Sequence, residues 1–454
     1  MKSLLSVKKI KNLTGIKMTF IYLIVYFLLP ATFPITLKAQ ESLTLNQVWD
    51  IALHNNLTLK QQDKSIEQVK QEIGIQKTGY LPALSFNSYY LYQSELAQVN
   101  LPFKGFPAIQ AGAHNQYDIY TVIQQPVFKG FRTENLVLAA RQKSDMQTLL
   151  QIQQGNILLL QSGQLFFDLH LNYLQQEVLK ESINRIALQL ERLRNLLDSR
   201  QISAFDTLEI ANHNLELLNR LQLVQDQNKI LHSKLEYLLN TSALSDIDLN
   251  SSDGTDFLLK PLGDYQTLAR EKRVELSQIS LSGQLQQTNT RMIKASYYPQ
   301  INAQVAYHYA RPGVNFFKDD WMNYYTINLS LQWELWNWNR DALKVQQARL
   351  ELEKLDLEYQ KLVNDIQQQV KEVYLYLQSL SQQILLQKRL VEQENERYRI
   401  TQEKYQQGVV TSLDLNTSEH ALTEAQLRLQ ENYTSWKKYK IQLDYVCGTI
   451  GLTE

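Results

Sequence analysis

The sequence predicts an α+β chain in which long coiled-coil helices, shorter amphipathic helices and a few long strands are laid out twice. Three observations carry that prediction. After Pro312 there is no further proline, and between Gly313 and Gly408 no glycine, so nothing breaks a helix from Arg340 to Gln407. Within that stretch Leu355, Tyr359, Leu362, Ile366, Val370, Val373, Leu377, Leu380 and Ile384 step by four and three residues, the spacing of a coiled-coil seam. Behind Pro82, and again behind Pro299, the period changes to two, which is the signature of strands with one apolar and one polar face.

The helix from Arg340 to Gln407 would reach about 100 Å at ~1.5 Å per residue, too long for a compact core. Consecutive four-residue steps at Leu362, Ile366 and Val370 act as a stutter that locally straightens the supercoil. Gly408 stops the helix. Thr411-Ser-Leu-Asp414 restarts it as a capping box, and Leu415, Leu422, Leu429, Trp436 and Leu443 give the return helix a heptad seam. An upstream copy lies at an offset of 208 (414 − 206): Arg132 falls on Arg340, Asp206 on Asp414, and Leu235–Thr241 on Leu443–Thr449. There Ser203-Ala-Phe-Asp206 repeats the capping box, and Leu217, Leu221, Val224, Asn228, Leu231, Leu235 and Leu238 repeat the seam. Gly155 and Gly163 interrupt the first copy at roughly 1 kcal/mol each and are expected where a neighbouring helix comes close.

From the N-terminus, Lys2, Lys8, Lys9, Lys11 and Lys17 precede the apolar run Met18–Pro30, so residues 1–39 read as a secretory signal peptide. The run is shorter than the ~20 residues a spanning helix needs. Residues 40–245 form a first repeat: amphipathic helices over Leu43–Asn55 and Leu57–Gln76, a strand hairpin over 83–128, and a helical hairpin over 132–240. A Ser-, Asp- and Gly-rich linker, 246–263, separates it from the second repeat, 264–454, which has helices over Asp264–Lys272 and Val274–Lys294, a strand hairpin over 301–335 and a helical hairpin over 340–449. The four strands, Ala83–Gln93, Tyr117–Phe128, Ile301–Tyr309 and Tyr324–Leu335, are about ten residues long, enough to cross a bilayer when tilted. Aromatic residues crowd their ends: Tyr307, Tyr309, Trp321, Tyr324, Tyr325, Trp333, Trp336 and Trp338 form a girdle suited to a lipid–water boundary. Four strands cannot close a barrel, and open edges in lipid would leave backbone groups unpaired, so several copies must assemble.

The remaining composition mainly excludes. The 454 residues carry 46 basic and 46 acidic side chains, which gives no electrostatic case for nucleic acid. Cys447 is the only cysteine, so there is no intramolecular disulfide. The seven histidines show no metal-ligand spacing, and neither a nucleophile elbow nor a phosphate-binding glycine loop occurs, so no cofactor, metal or catalytic chemistry is expected.

The order of helix, helix, strand hairpin and long helical hairpin, repeated behind a signal peptide, resembles the TolC-type outer membrane efflux proteins. Tyr80-Leu-Pro82 and Tyr298-Pro299, Gln125-Pro-Val-Phe-Lys-Gly130, Tyr405-Gln-Gln-Gly408 and Ser412-Leu-Asp414 carry the resemblance, which covers the whole chain after the signal peptide. It implies a homotrimer with a twelve-stranded β-barrel in outer membrane lipid and a twelve-helix α-barrel below it in the periplasm of a Gram-negative bacterium. It also implies partners, a periplasmic adaptor and an inner-membrane transporter of the RND, ABC or MFS class, for which the chain would be the passive exit duct of an efflux pump or type I secretion system. Cargo is left to the pump. Family members close an iris with Asp, Tyr and Arg side chains near the helix turns; Asp206, Tyr405 and Asp414 match it, while Val410 replaces the tip arginine and Thr417 the second acidic ring. Ser203, Gly408, Val410 and Thr411 fall at the hairpin tips where an adaptor would dock. The residues themselves leave alternatives open. Asp206 and Asp414 are explained by helix capping alone, Tyr405 by packing, and the seams by a secreted coiled-coil or adhesin-like scaffold without a pore.

Overall fold

The computed structural model describes residues 43–99, 105, 109–199, 203–241 and 257–451; the signal peptide 1–39 and residues 246–256 of the linker lie outside the described residues. In chain order the elements are α1 (Leu45–Asn55), α2 (Leu57–Lys77), β1 (Ala83–Tyr92), β2 (Ala97–Val99), β3 (Ile109–Ala111), β4 (Asn115–Lys129), α3 (Arg132–Asp198) and α4 (Ala204–Leu239). The second half follows with α5 (Leu262–Lys272), α6 (Val274–Lys294), β5 (Gln300–Arg311), β6 (Met322–Gln332), α7 (Arg340–Gln406) and α8 (Ser412–Val446). The fold is α+β, as the patterning implies. No helix among the described residues is long and apolar enough to cross a membrane.

Helix ends recur at the two sequence offsets. Both ends of α1 and α2 map onto α5 and α6 at 217 (262 − 45), and both ends of α3 map onto α7 at 208 (340 − 132). The local causes recur too. Each long helix begins after two successive left-handed residues, Gly130 and Phe131 (φ 62° and 65°) before α3 and Trp338 and Asn339 (φ 54° and 62°) before α7. That pair swings the chain out of the sheet into the helix axis, at a steric cost of about 1–2 kcal/mol where a large side chain occupies the position. At the far turn Gly408 takes φ 72°, the Gly408 amide donates to the Tyr405 carbonyl and the Val409 amide to that of Lys404, a Schellman stop. The last helix stops the same way at Gly448, and α4 does so at Asn240, asparagine being one of the few side chains that accept a left-handed backbone.

The seams are the packing surfaces. Ile366, Val370, Val373, Leu377 and Ile384 of α7 are buried with Trp436, Leu443 and Val446 of α8, while Leu231, Leu235 and Leu239 of α4 are buried with Leu158, Leu159, Phe166 and Leu169 of α3. The side-by-side order is α4–α3–α8–α7, with α1 and α2 against α3, and α6 between α3 and α7. Residues 257–261 are not free linker. Phe257 packs edge-on against Trp436 with ring centroids 5.1 Å apart, and α5 begins at Leu262, earlier than the pattern suggests.

All four long strands form one antiparallel sheet in the order β1–β4–β5–β6, rather than two separate hairpins, and the β4–β5 pair joins the two halves. The β2–β3 ribbon, unforeseen in the sequence, lies within the connection between β1 and β4. The last strand ends at Gln332, not Leu335, because Gln332 faces Gln300 and the next residue beyond β5, Pro299, has no amide to offer.

The two interior glycines of α3 differ in their surroundings. A Cβ at Gly163 would sit 2.9 Å from Ile441 Cδ1 and 3.3 Å from Trp49 Nε1, whereas at Gly155 the nearest atom is Leu53 Cδ2 at 3.7 Å. Gly155→Ala should therefore gain the helix-propensity difference of about 1 kcal/mol, and Gly163→Ala should gain little or lose stability. Thermal unfolding followed by circular dichroism checks this; equal shifts for both would show that Gly163 marks no close approach.

Candidate pore wall and constriction

Strand register divides the sheet into two unlike faces. Leu84, Ile123, Val305 and Ile327 stand in one row across all four strands, with Phe86, Thr121, Tyr307 and Tyr325 in the next row on the same face. This face is exposed: Phe86, Tyr325, Ile327 and Leu329 each leave more than 70% of their surface uncovered. The opposite face carries Asn87, Tyr120, His308 and Tyr324 in one row and Gln124, Gln304 and Asn328 in another. One side thus favours a hydrocarbon medium and the other water.

A charged cluster is built into the polar face. Asp118, buried, lies 3.0 Å from His308 Nδ1, and the imidazole is sandwiched between Tyr120 and Tyr324 with centroids 5.0 and 4.7 Å away. Sequence patterning had not united these four residues, which stand on three strands.

The aromatic residues separate into two groups along the strands. At the loop end Trp321 stacks on Tyr309 at 4.5 Å and lies 5.9 Å from Tyr117. At the helix end Trp333 donates to the Tyr297 carbonyl at 3.2 Å, and Trp336 and Trp338 meet edge to face at 5.8 Å. Trp321 to Trp333 covers about 40 Å at ~3.3 Å per residue, which a ~45° tilt reduces to about 28 Å, close to a membrane's apolar thickness. Tyr307, Tyr309 and Tyr325 are on the apolar face. Tyr324 is not, because successive strand residues point to opposite sides, and it belongs with the His308 cluster instead.

At the other extremity are the hairpin turns. Thr411 caps α8: its hydroxyl accepts from the Asp414 amide at 3.2 Å, and its amide and hydroxyl donate to Asp414 Oδ2 at 2.9 and 2.7 Å. Those two donors hold the exposed Asp414 carboxyl below its ordinary range. Gly408 and Thr411 are exposed and Val410 is half-buried. Tyr405 is half-buried and touches both the cluster of Leu179, Ile186 and Leu193 and that of Tyr398, Leu415 and Leu422. Ser203 immediately precedes α4; Asp206 falls in its first turn, and the Asp206 side chain is outside the described residues.

Above the turns is a residue that sequence patterning does not single out. Glu419, on α8, is fully buried and accepts from Ser182 Oγ (2.6 Å) and Arg185 Nη2 (2.8 Å) of α3, from Thr423 Oγ1 (2.7 Å) of its own helix, and faces His213 Nε2 (3.1 Å) of α4. Burial alone would raise its pKa; the hydrogen bonds from His213, Ser182 and Thr423 and the Arg185 charge outweigh it and hold the carboxyl at about 2. One turn away Gln189 of α3 donates to the Tyr398 hydroxyl of α7 at 3.1 Å.

Comparison with known proteins bears on the wall and the turns together. Residues 266–449 match the family model described as outer membrane efflux protein. Among solved structures the chain is similar to the CusC transmembrane channel, with a TM-score of 0.75, 14% identity, and coverage of 89% of this chain and 92% of that one. It is also similar to the outer membrane protein VceC of Vibrio cholerae (0.70, 14%, 89% and 96%) and to the open-state MtrE outer membrane channel of Neisseria gonorrhoeae (0.68, 14%, 89% and 88%). No curated sequence matches the chain.

The Glu419 carboxyl titrates near 2 when folded and near 4.5 when exposed. At ~1.4 kcal/mol per pH unit this is worth about 3 kcal/mol. Because the folded value is the lower one, that contribution is complete above about pH 5 and is lost as pH falls from about 4.5 to 2. Glu419→Gln should therefore lower the unfolding midpoint by a constant amount between pH 6 and 8, and the gap to the parent should close below pH 4.5. A gap that persists unchanged at pH 3 would contradict the assignment.

Proposed function

Taking the chain as an outer membrane efflux protein, by the match of residues 266–449 and by the fold of the whole, we propose that three copies form a channel through the outer membrane and periplasm. One observation carries this reading. The four-stranded sheet has a lipid-compatible face, a polar face and two outer edges, β1 and β6, without a strand partner among the described residues. An open edge in hydrocarbon costs several kcal/mol per unpaired backbone group, so the sheet is completed by neighbouring copies, apolar face outwards. The helices are disposed in the same way. With α4 and α7 at the ends of the order α4–α3–α8–α7, both expose apolar heptads, Leu208 and Leu215 and then Leu223, Ile230 and Tyr237 on α4, and Leu343, Leu350 and Leu357 on α7. Those stripes suit closure of a helical ring by α4 of one copy against α7 of the next.

The lumen is then the polar face of the sheet continued down the helices, and transport is passive permeation. The chain serves as the exit duct of a tripartite pump or secretion system, its hairpin tips at Ser203, Gly408, Val410 and Thr411 meeting a periplasmic adaptor that links it to an inner-membrane transporter of the RND, ABC or MFS class. Around the narrow end, three copies each of Asp206 and Asp414 would form carboxylate rings that attract cations and repel one another, with Tyr405 packed behind them. The two halves, with coincident helix ends, are duplicates of one ancestral hairpin unit.

The channel reading expects an SDS-resistant trimer in outer-membrane fractions and discrete conductance steps in a planar bilayer; a detergent-free monomer would contradict it and favour the scaffold. On β6, Ile327→Arg places charge on the apolar face, at a cost of about 2–4 kcal/mol near the bilayer centre, and should deplete the assembled trimer, whereas Asn328→Arg, one residue on and facing inward, should leave it intact. Asp414→Ala should raise open-state conductance or antibiotic sensitivity; if both are unchanged, Asp414 caps α8 and does nothing more.

A further inference from the structure

Within the channel reading, we propose that each copy binds one phospholipid of the periplasmic leaflet at the joint between β4 and α3, its phosphate held by Lys129 and Arg132. The duplication makes the need for it visible. At an offset of 208 (340 − 132) Arg132 corresponds to Arg340, and the two arginines have unlike surroundings. Arg340 is ion-paired with Glu334 and, at 3.3 Å from its Nε, with the buried Asp341, which also accepts from Ser296. The first half has none of these partners: Pro126 stands for Glu334 (334 − 208), Thr133 for Asp341 (341 − 208) and Gly79 for Ser296 (296 − 217). Lys129, in the place of Asn337, adds a second cation. Among the described residues neither the Lys129 nor the Arg132 side chain has a hydrogen-bonding or ion-pair partner. The anion that the second half carries within the chain thus comes to the first half from outside.

The surroundings select a lipid phosphate. Both cations line a cavity of about 160 Å³ together with Tyr80, Phe128, Phe131 and Glu134. It is smaller than the ~300–1,000 Å³ of a pocket that encloses a whole small ligand, so it takes a headgroup whose chains lie outside. Gln125, the counterpart of Trp333, donates to the Tyr80 carbonyl at 3.0 Å as Trp333 does to that of Tyr297, which puts the cavity at the level of the helix-end aromatic residues. In the bilayer this is the headgroup depth of the periplasmic leaflet. Phe128 stands opposite Ile301 on the apolar side of the sheet, and Phe131 meets it edge to face at 5.4 Å while leaving 54% of its own surface uncovered. Acyl chains thus lie against exposed rings while the phosphate meets the cations. A guanidinium can pair with two phosphate oxygens at once, and its charge acts more strongly at the edge of hydrocarbon than in water. Glu134, exposed, is the one carboxylate in the lining and suits a headgroup that ends in an ammonium. Arg340, already paired twice, offers no such opening, so the site occurs once per copy.

Lipid counting on the intact assembly tests the site. Full-length trimer, purified in detergent and delipidated, is titrated with phosphatidylethanolamine and weighed by native mass spectrometry. The parent should take up one lipid per copy ahead of any further binding, and Lys129→Gln with Arg132→Gln should weaken that uptake about tenfold or more, as charge-assisted hydrogen bonds to phosphate are lost. Thr133→Asp puts into the first half the carboxylate of the second, in a helix turn that favours an acid. It should displace the lipid to the same extent without lowering the unfolding midpoint. Uptake unchanged in both variants overturns the proposal. So does inorganic phosphate that occupies the same cations with no preference for the lipid, or a trimer that falls apart on Arg132→Gln with lipid uptake per copy unchanged, which would give Arg132 its carboxylate on a neighbouring copy instead. Conductance is read separately: a parent that conducts but fails the lipid count overturns the site alone, whereas a parent that forms no trimer overturns the channel reading and the site with it.

Discussion

A β-strand edge cannot face hydrocarbon with its amides and carbonyls unpaired, and most of the architecture follows from that constraint. Each chain supplies four strands with two unlike faces, too few to close around a lumen. In the proposed channel, closure passes through other copies, and the helices carry a matching requirement, since their end members α4 and α7 have apolar stripes that nothing among the described residues covers. The abrupt left-handed pairs at Gly130–Phe131 and Trp338–Asn339 are the joints at which the sheet gives way to a long helix, and they recur in both halves.

Much of this was legible in the sequence because it is written as periodicity and punctuation. The period-two runs identified the strands, the four-and-three steps identified α7 and α8, and the Gly408 stop with the Thr411–Asp414 box located the turn to the residue. Gly163 correctly marked a tight helix contact, at Ile441 and Trp49. The duplicated offset was itself a strong constraint, since two copies of a weak pattern at fixed spacing seldom arise by chance.

What the pattern did not convey depends on partners distant in sequence. Nothing local in β4 and β5 announces that they pair, yet this pair unites the halves and brings Asp118 and Tyr120 against His308, to which β6 adds Tyr324. Composition groups Tyr324 with the girdle, and only its register with His308 places it on the polar side. Glu419 was the least visible of all: a glutamate in a helix of mixed polarity reads as surface, and its burial follows from donors 206 to 237 residues away. A heptad count that noticed its place between Leu415 and Leu422, on the seam side of α8, would have raised the question without answering it.

The central claim is that the sheet is completed by β1 of one copy meeting β6 of the next. Within a single chain those strands are separated by β4 and β5, about 14 Å at ~4.8 Å per strand, beyond the reach of a disulfide. Single cysteines placed in series along β1 and along β6, combined pairwise and oxidised in intact outer membranes, measure the contact directly. The account predicts covalent species that stop at the trimer for pairs in one register only. Failure of every β1–β6 pair to join, in a protein that is nevertheless in the membrane, would contradict it.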